Sequence, residues 1–343
     1  MIFSRPHHHF AAPRGWSNDP NGLFFDGGRY HLYYQYNPAA RSRAELDWYR
    51  MEWGHAVSPD LHSWTVCPSV LFPKETGARP DCPWSGSAVV DRENCAGFGR
   101  GAVLIFFTST GRGECLAFSN DGGMTFQEYD GNPIVRHSGR DPKVIFDPVR
   151  GRWIMTVYDE VNFAAFYSSE NLREWCFESR IHGFYECPNL FPMGERWILT
   201  AADGRYSVGQ FDGKEFIPEQ LPKHLFDGDL YAGQLFWGTE MPVMLFWFRL
   251  YHTPTEGFLN QMSLPVRLEL NDSGTLRVYP AIALPEFEII HSPDRPIRFG
   301  GFLFPPSEEL LILEDTCSIE AFRNGGMEYY AREKGPVYSP EMS

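Results

Sequence analysis

No stretch of this 343-residue sequence is apolar for long enough to cross a bilayer; the longest runs are "AVLIFF" and "PVMLFWF". The opening segment "MIFSRPHHHFAAPRGW" lacks the extended apolar core of a secretory signal. Its seven cysteines include no CxxC pair and are odd in number, so they are expected to be reduced thiols of a cytoplasmic protein, Cys187 among them. Three adjacent histidines, His7 to His9, sit on an extended segment and cannot all face one ion, so no metal site is expected there. Basic residues are outnumbered, 30 Lys and Arg against 44 Asp and Glu, giving a net charge of −14. That charge disfavours nucleic acid and anionic membranes as partners. Helical periodicity is scarce too: "RSRAELDWYRME" could form a turn or two, and nothing longer repeats every 3.6 residues.

What remains is rich in turns and rings, with 27 Pro, 32 Gly and 16% aromatics, a composition that points to an all-β protein. A turn followed by a short apolar strand recurs as "GGRYHLYYQ", "GRGAVLIFFTS", "GRWIMTVYD", "GERWILTAAD" and "EMPVMLFWFR". The copies start at Gly27, Gly99, Gly151, Gly194 and Glu240, spaced 72, 52, 43 and 46 residues apart. Each of the first four is followed by a second signal ending in an aromatic, such as "VSPDLHSW" or "YSSENLREW". A β-sandwich also has many short strands, but it does not account for a fivefold recurrence. The pattern predicts a five-bladed β-propeller over residues 1–285. After Pro285 the pattern changes, and "EELLILEDTCSIEAFRNGGMEYYA" reads as two or three strands around an "NGG" turn. Residues 286–343 are therefore expected to form a short β module, a truncated sandwich, on the propeller flank, away from Asp19, with an open edge that favours a homodimer.

Three carboxylates stand in unusual settings: Asp19 in "WSNDPNG", Asp141 in "SGRDPKVIFD" and Glu186 in "FYECPNLF". Asp-Pro and Asn-Gly are turn signals, so Asp19 taken alone reads as the cap of a turn. Asp141 could simply pair with Arg140, and Glu186 could lie on the surface. Yet each precedes or opens the first strand of a blade, and in a propeller those strands converge on one axial mouth. Three carboxylates gathered there would be costly to ionise together. That is the setting glycoside hydrolysis uses, with one carboxylate ionised and another held protonated.

In order along the chain, these segments resemble glycoside hydrolase family 32, the invertase, inulinase and levanase group. "HHHFAAPRGWSNDPNGL" is similar to the family's opening motif, which would make Asp19 the nucleophile, with Asn18 beside it on the substrate. "YHLYYQYNP" follows, implying Gln35 and Asn37 near the sugar, then "WYRMEWGHAVSPDLHSW" with Trp48 at a sugar-contacting position and Trp53. "WSGSAVVD" resembles the family's "FSGS", with Trp84 in place of Phe and Ser85 next to it. "RDP" supplies Arg140 and Asp141, the implied transition-state stabiliser, and "EC" supplies Glu186, the implied acid/base. "DGDLYAGQLF" places Asp229 and Tyr231 at the rim. Ser17 and Val266 depart from the family pattern, and the tail is much shorter than the family's C-terminal sandwich.

The resemblance implies a five-bladed propeller and retaining cleavage of β-fructofuranosyl linkages in sucrose, fructo-oligosaccharides or fructans. In that scheme the turn at Asp19 aims the nucleophile, Arg140 orients Asp141, and no metal or organic cofactor is needed. A fructosyltransferase would need the same residues, and a silent carbohydrate-binding propeller would have no reason to keep all three carboxylates.

Overall fold

The structure, a computed structural model, describes residues 2–335. It is nearly all strand, with two short 3-10 turns, Arg43–Glu45 and Trp48–Arg50, where the sequence suggested a helical turn or two.

Five sheets form the blades of a β-propeller. Blade one runs Gly15–Asp26, Arg29–Asn37, Glu52–Ser58 and Thr65–Leu71. Blade two begins with Pro83–Asp91 and Ala102–Ser109, blade three with Arg140–Asp147 and Arg152–Asp159. Blade four begins with Asn189–Met193 and Arg196–Thr200, blade five with Leu230–Leu235 and Val243–Phe248. The first strand of each blade is innermost.

The five apolar repeats of the sequence are the second strands. Each is hydrogen-bonded on both edges and packed on both faces. Ala102–Ser109 and Val243–Phe248 are buried at every position, and a fully buried Phe or Leu there contributes about 1.5–3 kcal/mol. The outer strand Cys176–His182 has no buried residue and no such run. A segment near the blade-five strands closes the ring, with Phe258–Leu259 pairing in parallel with Gly15–Trp16.

After Pro285 the strands Glu288–Ser292, Ser307–Glu314, Ser318–Arg323 and Glu328–Glu333 form one sheet. A fifth member, Asp227–Gly228, comes from the chain entering blade five and pairs in parallel with Tyr330 and Ala331. Gly228 has φ +144°, and a Cβ there would stand 1.7 Å from the Ala331 carbonyl, so only glycine fits. One face of the sheet joins the propeller core through Leu313, Phe322 and Tyr329. The hairpin Ile297–Phe299/Phe302–Phe304 covers the other, with Ile297 and Phe304 on Leu310 and Ile312. The segment read as two or three strands around the "NGG" turn forms three, Ser307–Glu314, Ser318–Arg323 and Glu328–Glu333; Glu288–Ser292 and the hairpin, short and set among prolines, precede it. Residues 336–343 of the expected module lie outside the described residues.

The histidine triplet fastens this sheet to the propeller. The His7 and His8 amides donate to the Asp315 carboxylate at 2.8 and 2.9 Å. The His9 ring lies between Asp315 and Glu320, at 2.7 and 2.9 Å, and is fully buried.

Candidate active site

The innermost strands share one device. Asn18 and Asp19 interrupt the pairing of blade one, so three steps from Ser17 to Pro20 face two from Tyr36 to Tyr34. One extra residue is accommodated as a β-bulge. Pro20 has no N–H to give to the ladder, which makes the irregularity cheap. The same three-against-two slip occurs between Pro83 and Gly86, between Arg140 and Lys143, and between Tyr231 and Gln234. Four inner strands therefore bulge where they reach the axial mouth, and each bulge turns side chains toward it. In blade four the chain instead turns through Glu186 and Cys187, both with positive φ, 53° and 42°. Asp141 is also left-handed, at φ 67°. Non-glycine residues in that region carry backbone strain that surrounding contacts must hold.

This corrects the sequence reading of "NDPNG". Asp-Pro and Asn-Gly form no chain reversal; both lie inside the twelve-residue strand Gly15–Asp26. The partner strand Arg29–Asn37 supplies a register that turn propensity alone does not contain.

Asp19, Asp141 and Glu186 meet in a cavity of about 440 Å³, and Asn18, Gln35, Trp48, Trp84, Ser85, Arg140 and Tyr231 line it with them. Asp19 Oδ2 accepts from Ser85 Oγ at 2.6 Å and Oδ1 from Asn18 Nδ2 at 2.9 Å. Tyr231 Oη donates to Glu186 Oε2 at 2.5 Å. Asp141 Oδ2 accepts the Cys187 amide at 3.1 Å. The Asp141 amide donates to Thr108 Oγ1, which in turn donates to Glu114. Trp84 Nε1 donates to the Trp48 carbonyl at 3.2 Å, joining two rings of the rim.

Arg140 does not do what the sequence suggested. Its Nη2 and Nε donate to Glu186 Oε1 at 2.5 and 3.2 Å, whereas Nε is 3.9 Å from Asp141. Asp141 is oriented by the Cys187 backbone instead, a role no sequence signal marks. Asp229 does not line the cavity; its carboxylate accepts the Glu333 amide at 2.9 Å. Asn37 ends the strand Arg29–Asn37 and accepts the Ala39 and Ala40 amides of the turn that follows, and Trp53 supports the floor by donating to the Trp84 carbonyl. Two lining residues were missed, Tyr49 and Trp247. Trp247 sits within an apolar strand, and only its pairing with Tyr231 turns it to the site.

The electrostatics follow from crowding. Burial and then the Glu186 charge push the Asp141 carboxyl up to about 8, with Arg140 opposing and Asp19 adding to the rise. Asp19 is raised by burial, against the Ser85 and Asn18 hydrogen bonds that favour its anion. Carboxyl groups with different proton affinities in one small cavity are equipped for acid, base and nucleophile roles. A larger cavity of about 790 Å³ opens at the other end of the inner strands, beside Phe146, Met193 and Trp237, and includes none of these carboxylates.

The family model for the glycosyl hydrolases family 32 N-terminal domain matches residues 9–280. The levanase of Bacillus subtilis (strain 168) is 35% identical over 266 residues, covering 66% of this chain and 38% of the levanase. The invertase of Schizosaccharomyces pombe is 32% identical over 314 residues, covering 78% of this chain and 53% of the invertase. The chain thus spans about half, or less, of the length of these relatives. Among solved structures, the exo-inulinase from Aspergillus awamori superposes with a TM-score of 0.82 at 22% identity, covering 97% of this chain and 93% of that one. The β-fructofuranosidase from Schwanniomyces occidentalis, in complex with fructosyl-erythritol, gives 0.81 at 23% identity over 96% and 91%. At that identity the likeness establishes the propeller fold.

Proposed function

The chain belongs to glycosyl hydrolase family 32, and on that premise we propose that it hydrolyses β-fructofuranosyl linkages with retention of configuration. The observation that carries this reading is the convergence of Asp19, Asp141 and Glu186, from three different blades, on one sugar-sized cavity walled by Trp48 and Trp84. The names of the relatives, levanase and invertase, support fructosides as the substrate class.

In the proposed reaction Asp19 attacks the anomeric carbon while Glu186 gives its proton to the glycosidic oxygen. The carbon–oxygen bond to the leaving group breaks and a fructosyl ester on Asp19 forms. Glu186 then takes a proton from water, which displaces Asp19 and releases fructose. Asp141, buried beneath the sugar, holds ring hydroxyls and stabilises the oxocarbenium-like state. Tyr231 and Arg140 fix Glu186 from two sides, so the proton is delivered from a defined position. The indole faces of Trp48 and Trp84 supply apolar surface for the ring carbons.

The test is incubation with sucrose, kestose, inulin and levan, identifying released sugars and the first-formed anomer. Release of β-fructofuranose is expected. Failure to release fructose from all four would overturn the activity, and the opposite anomer would overturn the covalent step.

A further inference from the structure

Behind Asp141 stands a buried carboxylate that the reaction above does not use. Glu114 lies on Gly113–Ser119, the third strand of blade two, and is fully buried. Thr108, directly opposite it on the second strand, donates its hydroxyl to Glu114 Oε2 at 2.9 Å. The other oxygen, Oε1, is 2.7 Å from His137 Nε2. His137 Nδ1 accepts the Gly139 amide at 3.2 Å, so the ring proton sits on Nε2 and is given to Glu114. Thr108 Oγ1 accepts the Asp141 amide at 2.9 Å and passes its own proton on to Glu114.

These bonds form a closed circuit. It leaves the chain at His137, crosses to Glu114 and Thr108 in the neighbouring blade, and returns at Asp141. Each oxygen of Glu114 receives a donor, the arrangement that suits a carboxylate anion. Burial pushes this carboxyl up, and the His137 and Thr108 hydrogen bonds oppose the rise. The main chain bridges the same two blades. The Glu114 amide donates to the Val135 carbonyl at 2.9 Å, and its carbonyl accepts the Ile134 amide at 2.8 Å. Gly139, inside the circuit, lies so close to blade three that a Cβ would stand 1.9 Å from the Tyr158 carbonyl.

A buried charge is costly unless its hydrogen bonds are all made. The residues that follow Glu114 in its strand, Cys115, Leu116 and Ala117, are ordinary apolar core. What the circuit holds is the Asp141 backbone, whose φ of 67° needs contacts to enforce it. The Cys187 amide holds Asp141 at its carboxylate, and Thr108 holds it at its amide. We infer that Glu114 is a positioning residue for the reaction: with His137 it fixes the Thr108 hydroxyl, and through that hydroxyl the backbone that aims the Asp141 carboxylate at the sugar. The inference rests on the proposed reaction for what Asp141 does to the sugar, but not for how Asp141 is held.

Glu114→Gln keeps the size of the side chain and leaves one oxygen for two donors. Thr108→Val removes the hydroxyl, and Thr108→Ser keeps it. Steady-state kinetics of the full chain on the sugar it cleaves fastest read the effect. Stabilisation by Asp141 is strongest in the transition state, so its misplacement lowers kcat more than it raises KM. A fall in kcat of about 10–10²-fold is expected for Glu114→Gln and for Thr108→Val, with a much smaller change in KM. Thr108→Ser should stay close to the parent. The two residues act in series, so the Glu114→Gln/Thr108→Val double variant should be no slower than the worse single variant. Crystal structures of the parent and of Glu114→Gln, or of Thr108→Val if the glutamine variant does not fold, should show the Asp141 carboxylate displaced and its bond to the Cys187 amide broken. Unchanged kcat in Thr108→Val, a serine variant as slow as the valine one, losses that multiply in the double variant, or an unmoved Asp141 carboxylate overturns the inference. A displaced Asp141 in a protein whose parent cleaves none of the sugars would sink the proposed reaction and leave the positioning role standing.

Discussion

The guanidinium of Arg140 grips Glu186 and not its own neighbour in sequence, Asp141. Two donors reach Glu186 Oε1, at 2.5 and 3.2 Å, while the nearest approach to Asp141 is 3.9 Å. The same guanidinium lies 4.6 Å over the Tyr158 ring. Arg140 is therefore a clamp on the proposed acid/base. Arg140→Gln is expected to lower kcat by about 10²-fold or more with a smaller change in KM, since what it loses is the geometry of proton delivery. Arg140→Lys should not restore activity, because a lysine cannot reproduce the stacked two-donor arrangement. Measuring kcat and KM for both variants decides this; a lysine variant with full kcat would show that charge alone suffices.

Asp19→Asn and Glu186→Gln should each reduce turnover by at least about 10³-fold, as removal of a nucleophile or proton donor does elsewhere. Both amides are near-isosteric with the acids, so the melting temperature should stay close to that of the parent. Full activity in either variant would remove that residue from its role.

The Asp141 carboxyl gives a stability signature. Its folded pKa of about 8 lies above the unfolded value of about 3.9. Folding therefore takes up a proton between these values, and this group's contribution becomes less favourable as pH rises through that window. Asp141→Asn removes the penalty. The variant should melt several degrees above the parent at pH 8, lose that advantage by pH 4, and turn over slowly at every pH. Parallel thermal scans at the two pH values measure it; an advantage equal at both would rule out the titration.

His9 works in the other direction. Burial alone would lower its pKa, but the Asp315 and Glu320 hydrogen bonds outweigh burial and raise it to about 9. A raised histidine stabilises the fold fully below its unfolded pKa of about 6.5, and that contribution is lost as pH rises through 9. The Asp315 carboxyl is held well below its usual range despite burial, chiefly by the His9 hydrogen bond, so its contribution is present above about pH 4 and lost in stronger acid. His9→Ala leaves two carboxylates without their cation and should cost about 3–5 kcal/mol near pH 6. The deficit should shrink toward pH 10, where the parent's His9 is neutral as well. Denaturant unfolding of both proteins at pH 6 and pH 10 provides the comparison.

Among the described residues, the outermost strand of the C-terminal sheet, Glu288–Ser292, has an unpaired edge, and Ile289 on it is 59% exposed. Such edges invite pairing with a second chain. Sedimentation velocity should find a dimer, and Ile289→Lys should shift it toward monomer. A parent protein that sediments as a monomer at high concentration would dispose of the idea.

The C-terminal sheet also reaches nearer the active site than the sequence suggested. The Asp229 amide donates to the Ala331 carbonyl at 2.9 Å, two residues before Tyr231, and Glu333 accepts the His252 amide next to Tyr251. Nothing in "GGMEYYAREK" marks such contacts, which arise from the parallel pairing of two strands about a hundred residues apart.

What the sequence by itself determined is whatever burial writes into local pattern. The second strand of each blade is covered on all sides, so its apolar run recurs five times and can be counted. The residues around "WSNDPNG", "WSGS", "RDP" and "EC" follow one another in an order that survives without any contact map, and ten of the thirteen residues named from the sequence line one cavity, Asn37, Trp53 and Asp229 being the exceptions. Tertiary structure alone decided the rest. "DP" and "NG" have turn propensity, yet pairing with Arg29–Asn37 turned them into bulges inside one strand. Arg140 lies next to Asp141 in the chain, yet the left-handed backbone at Asp141 and Glu186 presents Glu186 to the guanidinium. Trp247 belongs by pattern to an apolar core strand, and its register against Tyr231 makes it a wall of the site. In each case the deciding partner lies on another strand, and no local pattern encodes a neighbour that only the closed ring of blades brings into reach.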